Sequence, residues 1–170
     1  MANRRHLPFE SETIDVAFCD CVFAHVGVVG DSYKIGSTHF NDRLELVREM
    51  TRVVRPGGHI VVSSPNRFFP FDLFHGRDTG GYRPRLYWPG DKFLLSVGDY
   101  RQLFRMARCR KATALPVEGY WGFIQARLTW KGMLFGMPVR FVFWLVSRSF
   151  GKPLGGSPLC PWIVVQIEKL

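Results

Sequence analysis

The sequence has no uninterrupted apolar run long enough to cross a membrane. Its longest apolar stretch, residues 132–146, is broken by Pro138 and Arg140, whereas a span needs about 20 apolar residues. The opening MANRRHLPFESET has basic residues with no apolar run behind them, so no signal peptide is expected. Internal repeats and low-complexity segments are absent. Cysteine is sparse: Cys19, Cys21, Cys109 and Cys160. Cys19 and Cys21 are two apart in an apolar run and would share one face of a strand. With no second close pair, a metal site is not expected. The thiols read as buried and reduced, in a cytoplasmic protein.

Acidic residues nearly vanish from the last part of the chain. Residues 1–100 carry 12 basic and 12 acidic side chains, whereas residues 101–170 carry 11 basic and 2 acidic. The whole net charge of +9 therefore sits in the tail, which suggests a basic surface there rather than general nucleic-acid affinity. The 46% hydrophobic and 22% charged residues exclude a disordered chain, and 170 residues can bury a core.

Residues 14–23, IDVAFCDCVF, are short, apolar and rich in branched or aromatic side chains, which predicts a buried strand. In residues 42–54, Leu44, Val47, Met50 and Val54 recur at helical spacing, with Arg43, Glu45, Arg48, Glu49 and Arg52 pointing elsewhere. The helix should stop at Pro56-Gly57-Gly58. Residues 59–64 read as a second buried strand, and residues 67–95 as a long aromatic loop. Phe68, Phe69, Phe71 and Phe74 in that loop are expected to serve mainly in packing. Ser96 and Asp99 form a capping box for a helix with the apolar stripe Tyr100, Leu103, Phe104 and Ala107. Its Arg101, Arg105 and Arg108 stripe reads as a solvated face. Residues 110–116 suggest an edge strand, 122–150 mostly helix, and 162–168 a closing strand. The alternation predicts an α/β sheet with an antiparallel member.

Several of these segments together resemble the later half of a class I S-adenosylmethionine-dependent methyltransferase of the type 11 kind. The carriers are Leu7-Pro8-Phe9 and Asp15 before a strand, and Val22-Phe23-Ala24-His25-Val26 after it. Arg52-Val53-Val54-Arg55-Pro56-Gly57-Gly58 then leads into the next strand, which ends in Pro65-Asn66. The resemblance implies a partial Rossmann-like fold of about four strands with an antiparallel closing strand, its N-terminal half missing. The closing strand would lie between the second strand and the edge strand, and residues 14–23 would form an open edge. It also implies S-adenosylmethionine as cofactor and methyl transfer to a small-molecule or lipid-linked substrate.

No acidic-x-Gly-x-Gly turn precedes residue 15, so the chain is expected to be a fragment deficient in cofactor binding. Within one partial domain, residues 1–66 form the cofactor side, 67–95 the substrate loop, and 96–170 a helix, edge strands and a basic aromatic insertion. By resemblance the cofactor would meet Asn3, Asp20, Cys21, Val22 and His25. Asn66, Asp72, His75 and Tyr82 lie in the region where the family builds its substrate pocket, with Asn66, His75 and Tyr82 taken as candidates. No catalytic residue is assigned, although His25 has a suitable pKa for a general base. Residues 122–150 could touch a membrane peripherally, and the open strand could pair with a second copy. A nucleic-acid partner is not expected. The alternative is a non-catalytic membrane- or partner-binding module on the same half-fold.

Overall fold

The structure is a computed structural model that describes residues 6–29, 33–72, 75, 85–117, 130, 134, 137, 138, 140, 141, 144, 145, 148 and 156–170. Asn3, Tyr82, Phe74 and most of residues 122–150 lie outside the described residues.

Strand β1 (Ile14–Asp20) is followed by a short 3-10 turn, Phe23–His25. Helix α1 (His39–Val53) runs straight into β2 (Val54–Pro65). The helix thus ends at Val53, three residues before Pro56, not at it. Pro56-Gly57-Gly58 is instead a bulge at the head of β2, where Ile14 pairs with Val54 but Val16 pairs with His59. Gly57 has φ +74°, and a Cβ on Gly58 would stand 2.8 Å from the Asp15 carbonyl oxygen. Only glycines let this bulge form without strain.

Residues 67–95 are not one irregular loop. They contain the two-residue strands β3 (Phe71–Asp72) and β4 (Arg85–Leu86), paired antiparallel, and a 3-10 turn at Pro89–Asp91. Tyr87, Phe93, Leu94 and Leu95 are buried there, whereas Phe68 and Phe71 are exposed, contrary to a packing role. Helix α2 (Val97–Met106) begins at Ser96, whose hydroxyl accepts from the Asp99 N–H while the Asp99 carboxylate accepts from the Ser96 N–H. Such a cap is worth about 1 kcal/mol. Strand β5 (Cys109–Leu115) and strand β6 (Trp162–Lys169) complete the sheet.

The sheet order is β1-β2-β6-β5. β1 and β2 are parallel, and β6 runs antiparallel between β2 and β5. This α/β arrangement is the partial Rossmann-like sheet that the resemblance implies. Among the described residues β1 has a partner on one side only, as expected of an open edge.

Both helices lie on one face. Leu44, Val47, Met50, Tyr100, Leu103 and Phe104 pack against Ile60, Val62, Ile163, Val165 and Ile167 in one core cluster. Each such fully buried side chain contributes about 1.5–3 kcal/mol. Two charged residues of α1 turn inward as well, against the outward placement read from spacing. Arg43 donates to the carbonyls of Val26, Lys92 and Phe93, at 3.3, 2.9 and 2.9 Å. Glu49 accepts from the Leu7 N–H at 2.7 Å and from Arg52. The face bearing Ala17 and Cys19 of β1 packs against the core. Val16 and Phe18, on its other face, are exposed.

Candidate functional site

Parallel strands bring their carboxyl ends to the same end of a sheet, where α/β folds leave a crevice. Here those ends are Asp20 of β1 and Pro65 of β2. The chain bends at Cys21, which has φ +55°. A non-glycine residue in this region stores strain of about 1–3 kcal/mol, a cost met more often at functional sites than elsewhere. The bend is held by the Cys21 N–H donating to the Ser63 carbonyl at 2.9 Å. The Ser63 hydroxyl donates to the exposed Asp20 carboxylate.

The bend also ends the alternation that would have put Cys19 and Cys21 on one face. Cys19 joins the main core, and Cys21 packs beside Trp162 and Val117. All four cysteines are free. Burial, with Asp20 and Asp72 nearby, pushes the Cys21 thiol up to about 12, and burial foremost lifts Cys19 to about 11. At neutral pH neither is a thiolate, so neither is a nucleophile or a metal ligand of consequence. Among the described residues no group of three or more His, Cys, Asp or Glu could hold a metal ion.

The 3-10 turn buries Phe23 and Ala24 and leaves Val22 and His25 exposed. His25 faces His75, their Nε2 atoms 3.3 Å apart. His75 is in turn oriented by Asp72, which is fully buried. Its carboxylate oxygens both lie 3.1 Å from His75 Nδ1, and one accepts from the His75 N–H at 3.0 Å. The Phe93 ring touches His25, Tyr33 and His75 edge-on, with centroids 5.7, 5.1 and 5.0 Å apart. Arg43 fixes this floor, because its guanidinium binds the Phe93 carbonyl and the Val26 carbonyl beside the His25 turn.

The chemistry follows from the hydrogen bonds. An ionised Asp72 places the proton of a neutral His75 on Nδ1 and leaves the Nε2 lone pair aimed at His25. The pair then holds a proton between two imidazoles, and His25 is the member that reaches solvent. This arrangement can accept or deliver a proton at the crevice mouth.

The structure thus brings Asp20, Cys21, Val22, His25 and His75 to one end of the sheet. Asn66 is there too, but it is buried, and its amide is engaged. It donates to the Ser157 and Cys160 carbonyls, both at 2.8 Å, and its oxygen accepts from the Phe68 N–H. It anchors the end of β2 rather than facing the crevice. Asp72 and Arg43 complete the site. An i, i+3 Asp–His pair was visible in the sequence, but nothing local marked Arg43 as buried.

The described residues do not by themselves cradle a nucleoside cofactor. Gly27, after the His25 turn, spends its freedom on packing, since a Cβ there would meet His39 Cα at 2.4 Å. Gly57 and Gly58 lie at the opposite end of β2. The described residues thus form a wall of the crevice and include no glycine-rich backbone loop beside it.

A family model described as "Methyltransferase domain" matches residues 1–62, which bears out the class I methyltransferase resemblance over β1, α1 and most of β2. A comparison with curated proteins finds no match. Among solved structures, the chain is similar to a SAM-dependent methyltransferase from Thermotoga maritima. The identity is 14% and the TM-score 0.46, covering 99% of this chain and 62% of that one. It is also similar to phosphoethanolamine N-methyltransferase 2 from Haemonchus contortus, solved with S-adenosyl-L-methionine. Here the identity is 11% and the TM-score 0.48, covering 98% of this chain and 36% of that one. A third is geranyl diphosphate C-methyltransferase from Streptomyces coelicolor, solved with Mg2+, geranyl diphosphate and S-adenosyl-L-homocysteine. Its identity is 12% and its TM-score 0.48, covering 100% of this chain and 52% of that one. The chain spans less than two thirds of the length of each.

Proposed function

We propose that this chain takes part in S-adenosylmethionine-dependent methyl transfer to a small-molecule or lipid-linked acceptor. The observation that carries the reading is the match of residues 1–62 to the methyltransferase domain model. That segment contains β1 and the His25 turn, which border the crevice, and most of β2. The cofactor, when bound, supplies the methyl group. The chain's own part is to position the acceptor and to take its proton on the His25–His75 pair, with Asp72 holding the tautomer. Asp20, Cys21 and Val22 would line the cofactor side, with Asn3 as a further contact by resemblance, and His75 and Tyr82 the acceptor side. Asn66 would hold the end of β2.

A lipid-linked acceptor is favoured by the tail. Trp130, Leu134, Met137, Phe141 and Trp144 are all exposed and spaced by three or four residues. Arg148 stacks on the Trp144 ring at 4.8 Å. Exposed apolar side chains with a cationic partner suit the surface of a membrane. No helix among the described residues is long and apolar enough to cross one.

Calorimetric titration with S-adenosylmethionine tests the reading. Weak binding, displaced by S-adenosylhomocysteine, is expected because the described residues form a wall and not a cradle. Micromolar affinity would overturn the proposed deficiency. No binding at any cofactor concentration, together with binding to vesicles, would replace the enzyme reading with the non-catalytic membrane module.

A further inference from the structure

A second concavity lies at the other end of the sheet. In the β2–β6 register, the crevice end is marked by Pro65 opposite Trp162, and the far end by His59 opposite Glu168. Near that far end, α2 and β5 enclose a groove of ≈ 490 Å³. Its walls carry Arg101 and Arg105 from α2 and Arg110 and Lys111 from β5, over an apolar floor that includes Phe104 and Ile167. None of the described residues lining it is acidic.

Two features show that the cations converge by construction. In an unbroken strand, consecutive side chains point to opposite faces. Between Cys109 and Ala112, however, β5 advances three residues while β6 advances two, from Lys169 to Ile167. The extra residue is a bulge, a device that re-aims side chains. Here Arg110 and Lys111, although adjacent, both line the groove. Arg101 is anchored as well, because its Nε donates to the Ala112 carbonyl at 3.1 Å. Its two Nη groups have no partner among the described residues and can meet a ligand.

The charges are poorly neutralised within the chain. Arg110 has Glu168 at 3.9 Å, a loose and exposed pair. Neither the Arg105 guanidinium nor the Lys111 ammonium has a side-chain partner among the described residues. Four cations around one concavity create a strongly positive local potential that attracts a compact polyanion. Guanidinium forks match phosphate oxygens in pairs.

We infer that the Arg101–Arg105–Arg110–Lys111 groove is a phosphate-binding site, separate from the crevice, that takes the phosphate of a lipid headgroup or of a soluble phosphorylated compound. The solvated-face reading of Arg101 and Arg105 gives way to this one, while Arg108, in the turn before β5, stays outside the groove.

Pyrophosphate titrated into the full chain at low salt tests the site. The exposed-residue variant Arg105→Gln/Lys111→Gln should bind it about tenfold more weakly or worse. Arg140→Gln/Arg148→Gln, which removes the same charge from the tail, should bind it as the parent does. Phosphatidylglycerol and phosphatidylcholine vesicles identify the source. If the groove variant loses binding to the anionic vesicles, the phosphate is a headgroup. If the parent binds pyrophosphate and the groove variant changes nothing on vesicles, it is a soluble compound. The inference is overturned if the parent does not bind pyrophosphate, or if both variants weaken binding equally. It is also overturned if an oligonucleotide binds and pyrophosphate fails to compete.

Discussion

At its β5 edge the sheet presents Arg110 and Lys111 side by side on a bulge. At its β1 edge it presents a strand whose exposed side chains include Val16 and Phe18. Charge and irregularity on an edge strand are the features by which proteins prevent stray pairing. The β5 edge has both in the edge strand itself. The β1 edge has neither in its middle: its irregularity sits at the head of the partner strand, at Pro56-Gly57-Gly58, and from Val16 to Asp20 its pairing with β2 is regular. The difference teaches that β5 is shaped to face solvent, whereas β1 carries the composition of a covered strand.

Giving β1 the character of β5 should have the largest effect. The parent chain is expected to associate with a second copy along β1 as its concentration rises. Val16→Lys/Phe18→Lys should leave a monomer at every concentration, as read by sedimentation velocity. A parent that stays monomeric would remove the contrast.

The second effect concerns what holds β1 to β2. Alanine at Gly58 would bring its Cβ to 2.7 Å from Val54 Cγ1 and 2.8 Å from the Asp15 carbonyl oxygen. The bulge would have to open, and Gly58→Ala should cost about 3 kcal/mol in urea unfolding. An alanine tolerated without loss would show that β1 is only loosely fixed.

The smallest effect lies in the clamp before β1. Glu49 is held well below the usual carboxylate range, at about 2, chiefly by its hydrogen bonds with Arg52, with the Leu7 N–H adding to them. Its folded pKa is depressed, so the stabilisation is complete above the ordinary value near 4.5 and is lost as pH falls toward 2. Glu49→Gln should therefore cost about 1 kcal/mol at neutral pH. The gap between variant and parent in urea midpoint should close as acid is added over that interval.

The same clamp explains how much was legible. The Leu7-Pro8-Phe9 turn and the Arg52 motif were read as separate pieces of one pattern. In the structure they touch, because Arg52 donates to the Leu7 and Phe9 carbonyls at 3.3 and 3.0 Å. Strand order and the antiparallel β6 followed from apolar runs and from that pattern. The inward turn of Arg43 and Glu49 did not, since periodicity counts charge as outward and cannot see a distant carbonyl that satisfies it. In the crevice, His25 stood out through its place after β1. Its pairing with His75 depends on how residues 67–75 return across the end of the sheet, which no local signal records. The twofold use of Arg110 and Lys111 was hidden for a related reason: a bulge leaves no mark in the residue alternation until the partner strand is known.

Asn66 bonds to Ser157 and Cys160, 91 and 94 positions later in the chain. Central β2 likewise waits for β6, the last strand of the sheet to be synthesised. The loop-closure entropy of these distant contacts must be met before they form. Slow refolding from denaturant is the expected consequence of partners so distant in the chain.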